Sequence, residues 1–278
     1  MIRPTRRQLL AGALAAAVEL PRVANAEARG NGQEHFELTQ PELFVPGLDP
    51  AHDGLRVAQL SDLHIGDGAP DGRILLAVKA ANAAKPDLVL LTGDFVTWSK
   101  EPIAHLPLVL AGLEAPTYAV MGNHDHFVDA KGVTEQLVKM GYGVLQNDHT
   151  IVRLKGADLT LFGVDDGRTK HEDVEAAFKN APQSGTRLVM AHTPPTADRL
   201  PPNANLVCFS GHTHGGQIHI PILTHLAMRL ARQPYVRGLY RVNGNQLYVN
   251  RGLGFGDGTP MARLGSDPEV AIFTLRAA

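Results

Sequence analysis

The chain has 278 residues, 44% hydrophobic and 19% charged, which suits one folded domain with a sizeable core and excludes a disordered polypeptide. A formal net charge of −2 lacks the basic surplus that sequence-independent nucleic-acid binding requires, so no nucleic-acid partner is expected. The single cysteine, Cys208, excludes an intrachain disulfide, and no run of about 18 uncharged apolar residues follows the N-terminus to suggest an internal membrane span.

Residues 1–26 read as a leader. Thr5-Arg6-Arg7-Gln8-Leu9-Leu10 sets paired arginines before an apolar run, Leu9 to Val18, and Ala24-Asn25-Ala26 offers a small-residue cleavage site. The pattern resembles a twin-arginine signal, which implies the twin-arginine export machinery as a partner and a location in the periplasm or on the outer face of the cytoplasmic membrane. Removing its four arginines and one glutamate leaves residues 27–278, read as a single domain, at a formal charge of −5.

After a polar linker over residues 27–34, strand-like and helix-like segments alternate. Leu55 to Leu60 predicts a strand, and Gly72 to Ala84 a helix that stops before Pro86. Asp87 to Leu91 is apolar and too short for a helix, hence a buried strand. Ile103 to Leu113 predicts a helix, Thr117 to Met121 a strand, and Asp129 to Met140 a helix. Gly143 to Leu145, Thr150 to Lys155 and Asp158 to Val164 read as successive strands in antiparallel hairpins. A helix over Asp173 to Asn180 precedes strands at Arg187 to Met190, Leu206 to Phe209, Gln246 to Val249 and Val270 to Leu275. The pattern is α/β, with two mixed sheets packed face to face and helices outside.

Five apolar runs end in residues able to bind a hard or borderline metal: Asp62 and His64, Asp94, Asn123 with His124 and Asp125, His192, and His212 with His214. Ligands in open α/β sheets gather beyond the carboxyl ends of strands, and strand residues two apart face the same way, so each of Asp62/His64 and His212/His214 is expected to aim at one point. The donors are nitrogen and oxygen with no thiolate, which suits Mn, Fe or Zn.

In this order D-x-H, G-D, G-N-H-D, H-x-P and G-H-T-H-G-G resemble the motifs of the calcineurin-like metallophosphoesterase superfamily, from about Leu55 to Arg251. G-H-T-H-G-G-Q followed by Asn250-Arg251-Gly252-Leu253-Gly254 resembles its exported bacterial YkuE/YaeI-like group. The resemblance implies a four-layer α-β-β-α sandwich and two divalent metal ions. Asp62, His64, Asp94 and His214 would hold the first ion. Asp94, Asn123, His192 and His212 would hold the second, with Asp94 bridging. His124 would stand outside the metal ligands and protonate the leaving group, oriented by Asp125. The implied reaction is hydrolysis of a phosphomonoester or phosphodiester by in-line attack of a hydroxide held between the cations. Two carboxylates cannot neutralise two divalent ions, so the pocket attracts a phosphate-ester substrate. In related exported proteins an acid often follows H-x-P; Thr193-Pro194-Pro195 departs from that, and the tail over residues 256–270 has only loose counterparts. These departures bear on the substrate pocket.

Arg251 is a candidate phosphate contact or a structural residue, and His126 reads as a surface residue or a substrate contact. Asp67 and Asp166 read as solvated loop acids, and Cys208 as a small buried hydrophobe. Leu223, Leu226, Ala227 and Leu230 fall at i, i+3, i+4 and i+7 beside Arg229, Arg232 and Arg237. Such a helix either packs its stripe on the domain or rests on anionic lipid or a polyanionic cell-wall polymer. Two other functions fit the motifs less well. Pyrophosphate cleavage of a nucleotide-linked lipid precursor (UDP-diacylglucosamine type) needs a cytoplasmic substrate, against the export signal. A non-catalytic scaffold would have no use for an intact ligand set and His124.

Overall fold

The apolar runs form strands whose two faces enter different cores. In the computed structural model, residues 26–27, 34–66, 68–220, 222–231, 233–256 and 263–278 are described; the expected leader, apart from Ala26, lies outside them, as do Asp67, Arg232 and most of the linker. The strands are β1 (Ala26–Glu27), β2 (Glu37–Thr39), β3 (Glu42–Val45), β4 (Arg56–Leu60), β5 (Leu88–Thr92), β6 (Thr117–Val120) and β7 (Gly143–Val144). They continue as β8 (Asp148–Leu154), β9 (Ala157–Val164), β10 (Thr186–Ala191), β11 (Val207–Ser210), β12 (Gly238–Val242), β13 (Asn245–Val249) and β14 (Glu269–Ala277). The helices are α1 (Asp71–Ala83), α2 (Leu106–Leu110), α3 (Asn123–Val128), α4 (Ala130–Lys139), α5 (Val174–Phe178) and α6 (Leu223–Leu230).

One sheet runs β1-β2-β14-β4-β5-β6-β7, with β3 also on β14, and the other runs β12-β13-β11-β10-β9-β8. Both are mixed: β4, β5 and β6 are parallel while β14 opposes β4, and β9, β10, β11 and β13 are parallel while β8 and β12 oppose their neighbours. Leu88 and Leu90 of β5 meet Leu188 and Met190 of β10 in the core between the sheets. The alternate residues Val89 and Leu91 turn outward to α1, α2 and α4, while Val189, Ala191 and Cys208 turn to the opposite outer layer with α5. Period-two side chains with both faces covered explain why these strands are apolar without alternation. The four-layer sandwich is as expected, and burial pushes the Cys208 thiol up to about 12, making it inert packing.

The local differences have local causes. The helix expected over Ile103–Leu113 splits into a 3-10 turn (Glu101–His105) and α2, because Pro107 sits at the start of α2 and brings no N–H. Gly143–Val144 does not enter a hairpin; it pairs parallel with β6, so of these three strands only β8 and β9 form one. Short β2, β3 and β12 were not predicted.

Two polar clamps tie the sheets together. Gln59 of β4 donates from Nε2 to Thr92 Oγ1 and to the Ser210 carbonyl, both at 3.0 Å, pinning β4 and β5 to β11 at their carboxyl ends. On another edge Glu269 accepts from Thr39 Oγ1 (2.6 Å), Tyr248 OH (2.7 Å) and the Arg251 amide and Nε (3.0 and 3.2 Å). Burial opposes its charge, but Arg251 and the two hydroxyls hold its carboxyl below the usual range.

Arg251 also reaches Glu37 at 2.8 Å. Its guanidinium is thus taken up by two carboxylates, which fits the structural alternative for Arg251. Arg251→Met strands two nearly buried carboxylates and is expected to cost about 3–5 kcal/mol in urea unfolding. A KM change with unaltered stability would instead return Arg251 to the substrate.

Candidate metal centre

β4, β5, β6, β10 and β11 present their carboxyl ends to one place. Asp62 and His64 follow β4, Asp94 follows β5, Asn123 opens α3 after β6, His192 follows β10, and His212 and His214 follow β11. All are buried except His212, which is half-buried. Backbone bonds lace the loops: Asp62 N–H to Gly93 O, His64 N–H to Asp94 O and Gly211 N–H to His192 O, each 3.0 Å. The His212 amide crosses to the other sheet, donating to both Asp62 carboxylate oxygens at 2.9 and 3.1 Å.

These turns are tight. Asp62, His64, Asp94, His212 and His214 have φ between 46° and 69°, a left-handed conformation that non-glycine residues rarely adopt. Strand alternation therefore does not aim the pairs; the left-handed turns do. A Cβ on Gly122 would lie 2.2 Å from Asp94 Oδ1, and one on Gly211 2.2 Å from Asp62 Oδ2, so both positions need glycine.

Two groups result. One donor atom each from Asp62, His64 and His214 lie within 4.8 Å of one another, as do donors from Asp94, His192 and His212. Asp62 and His64 share a point as expected, whereas His212 and His214 go to different groups. Asp94 Oδ2 faces both groups, 3.1 Å from His192 Nε2 and 3.7 Å from His64 Nε2. Its Oδ1 accepts the His124 amide at 2.9 Å.

The protonation pattern tests whether cations fit. His192 Nδ1 donates to Thr92 O (2.8 Å), His214 Nδ1 lies between Gly254 O (3.2 Å) and Arg263 Nη2 (3.0 Å), and His64 Nδ1 meets Thr97 Oγ1 at 3.2 Å. In neutral His192 this leaves the Nε2 lone pair directed inward. His64 and His214 Nε2 face each other at 3.2 Å, His192 Nε2 faces a carboxylate oxygen without a hydrogen bond, and Asn123 Oδ1 is buried with none. Acceptors converging in a largely buried pocket repel unless positive charge lies among them. Burial lowers His64 and His212 to about 3, leaving them neutral; burial also opposes charge on His192, but Asp94 overrides it and raises the imidazole to about 10. Without metal a proton fills that demand. The carboxylate, imidazole and amide donors fit two divalent ions.

Several expected roles move. Asp125 does not orient His124: its carboxylate accepts the amides of Asp94 (2.9 Å), Phe95 (2.8 Å), Val96 (3.3 Å) and Gly122 (2.8 Å), fixing the loops that carry Asp94 and Asn123. His124 is instead held through Nδ1 by the Thr97 carbonyl at 2.9 Å. His126 is half-buried, with Nε2 2.7 Å from Asp165 and its ring stacked on His171 at 4.0 Å. Asp166 is no solvated loop acid; it is buried, accepting from Thr169 N (2.7 Å), Thr169 Oγ1 (2.8 Å) and Thr193 Oγ1 (3.3 Å).

Gln233 was not foreseen. Its amide nitrogen lies 3.4 Å from His212 Nε2, while its Oε1 is buried without a hydrogen bond. Turning the amide over lets Oε1 accept from Nε2–H and leaves His212 Nδ1 as the unprotonated nitrogen.

The chain is similar to known proteins in sequence and fold. Residues 55–216 match the family described as calcineurin-like phosphoesterase. The chain is 28% identical to the uncharacterized metallophosphoesterase YkuE of Bacillus subtilis, over 100% of this chain and 99% of that protein. It is 31% identical to the phosphodiesterase YaeI of Escherichia coli, over 86% of this chain and 88% of that protein. In fold it is similar to a 5'-nucleotidase precursor from Thermus thermophilus, with a TM-score of 0.50 at 13% identity, covering 80% of this chain and 54% of the other.

Since Asp94 faces both groups, Asp94→Ala is expected to remove both metals from purified protein by elemental analysis; one ion retained at full occupancy would show the sites to be independent. Gln233→Leu should weaken one ion by about 10–100-fold in a chelator competition and leave the other unchanged.

Proposed function

The chain belongs to the calcineurin-like phosphoesterase family, and on that premise we propose that it hydrolyses phosphomonoesters or phosphodiesters outside the cytoplasm. The observation that carries this reading is the shared Asp94 oxygen between two ligand groups, with His124 beside them and in neither. Asp62, His64 and His214 would hold one ion, and Asn123, His192 and His212 the other, with Asp94 common to both. Such ions, when bound, supply an activated water and positive charge for the phosphoryl group.

The remaining work falls to this chain's own side chains. His124 Nδ1–H donates to the Thr97 carbonyl, so Nε2 would be the nitrogen that delivers a proton to the departing ester oxygen. Trp98 and Phe127 meet the imidazole edge-on, with centroids at 5.4 and 5.9 Å, and restrain its rotation. Both are largely exposed and make an apolar lip beside the proton donor, suited to an ester with an organic leaving group. The name of the relative YaeI, a phosphodiesterase, supports the diester form. The paired arginines and short apolar run of residues 1–26 support export by the twin-arginine route.

Leaving-group dependence tests the proton donor. His124→Ala should keep its metals yet lose about 10²–10⁴-fold in kcat on alkyl phosphate esters, and much less on p-nitrophenyl esters, whose leaving group departs without a proton. An equal loss on both would remove His124 from that role, and no metal-dependent hydrolysis of either would overturn the proposed activity.

A further inference from the structure

Helix α6 packs the wrong way round for a helix serving only the core. Thr224 is its buried side chain: Oγ1 accepts from the Ile220 amide at 2.8 Å and donates to the Ile218 carbonyl at 3.1 Å. Gly216, in the turn carrying His214, lies against the Thr224 methyl, where a Cβ would come within 2.4 Å. The helix therefore rests on the domain through a small polar residue, and its apolar stripe faces solvent. Leu223, Leu226 and Leu230 are 60%, 56% and 80% exposed, and Ile218, Ile220 and Ile222 of the preceding segment are exposed as well. With Leu264, which bridges to Ile218, these are seven of the fourteen large apolar side chains exposed among the described residues. They form one cluster, not scattered surface leucines.

The sequence of this segment carries charge of one sign. From Arg199 through Gly256 the sequence contains no Asp or Glu, while Arg229, Arg232 and Arg237 fall within that stretch. This contrasts with an acidic chain overall.

We propose that Ile218–Ile222 and α6 form a docking surface for an anionic lipid bilayer, with the leucines and isoleucines entering the headgroup–acyl boundary and the arginines meeting lipid phosphates. Each competing occupant leaves part of the surface unmatched. A polyanionic polymer would satisfy the arginines and leave the aliphatic side chains wet. A second copy paired face to face would set basic residues against basic residues, with no carboxylate in the segment to neutralise them. A bilayer answers both features. Docking also places the metal centre at the membrane, because the segment leaves directly from His214 and returns at Gln233 against His212. The inference goes beyond phosphoester hydrolysis and does not rest on it.

The test is sedimentation of the full chain with vesicles of phosphatidylcholine and phosphatidylglycerol, and with phosphatidylcholine alone, without any hydrolysis readout. The parent should partition onto the anionic vesicles and much less onto neutral ones, with salt weakening the binding. Leu226→Glu/Leu230→Glu should lose about tenfold or more of that partition. Leu108→Glu, at a position 72% exposed on α2, should lose none, and any contribution from the leader is common to all three proteins. Arg229→Gln should reduce the preference for anionic lipid. Melting temperature and metal content report whether each variant is folded. Equal partition of parent and double variant overturns the proposal, as does a parent that binds neither vesicle. So does a parent dimer, seen by light scattering, that the double variant splits while vesicle binding stays absent.

Discussion

The centre depends on one carboxylate held in place through one of its oxygens. Asp94 Oδ1 is fixed by the His124 amide, so Oδ2 is committed to the gap between two sets of imidazoles. Asp125 secures the arrangement from behind by taking four amides from the two adjoining loops, including that of Asp94 itself. Burial pushes the Asp125 carboxyl up to about 7, with the Asp94 charge adding to the shift, and the amide bonds work against it. A divalent ion beside Asp94 would offset the repulsion between these neighbouring carboxylates, so cation binding and loop geometry favour each other.

Holding five ligands in left-handed backbone costs of order 1–3 kcal/mol apiece, and the surrounding structure must over-determine them. The sandwich does this by bringing parallel strands from both sheets to the same end. Gln59 fixes the two sheets there, and the His212 amide closes the gap by bonding to the Asp62 carboxylate. The ligands hang on short connections from strands buried on both faces, so they have little freedom to relax when the pocket is empty. The acceptors are therefore pre-aligned and mutually repelling, a condition that favours cation uptake.

The fold and the two candidate His/Asp groups were legible because their signals are short-range: apolar runs too brief for helices, each followed by a residue able to bind a metal. The roles that moved depend on longer-range geometry. Asp125 adjoins His124 in sequence, but consecutive helical residues do not face each other, so in α3 the carboxylate turns to the neighbouring loop. Arg251 finds its partners 18 and 214 residues away, a pairing that only the packed sheets reveal. Gln233 gave no sequence signal, since one glutamine after a helix resembles any polar loop residue. The split at Pro107 was different: a proline inside the expected helix was a readable warning.

The excursion from His214 to Gln233 links the two ends of the metal pocket. It starts at a ligand of one group, passes through the exposed isoleucines and α6, and returns to touch a ligand of the other group. A helix anchored by leucines would be tied to the domain through its leucine pattern. This one is anchored by Thr224 against Gly216, in the same turn that aims His214, so the position of the helix and the aim of the ligand share one contact. Gln233 repeats the link at the far end, where its backbone amide bonds to Met228 O inside the helix while its side chain meets His212. A displacement of α6 would therefore bear on both groups at once, through Gly216 at one end and Gln233 at the other.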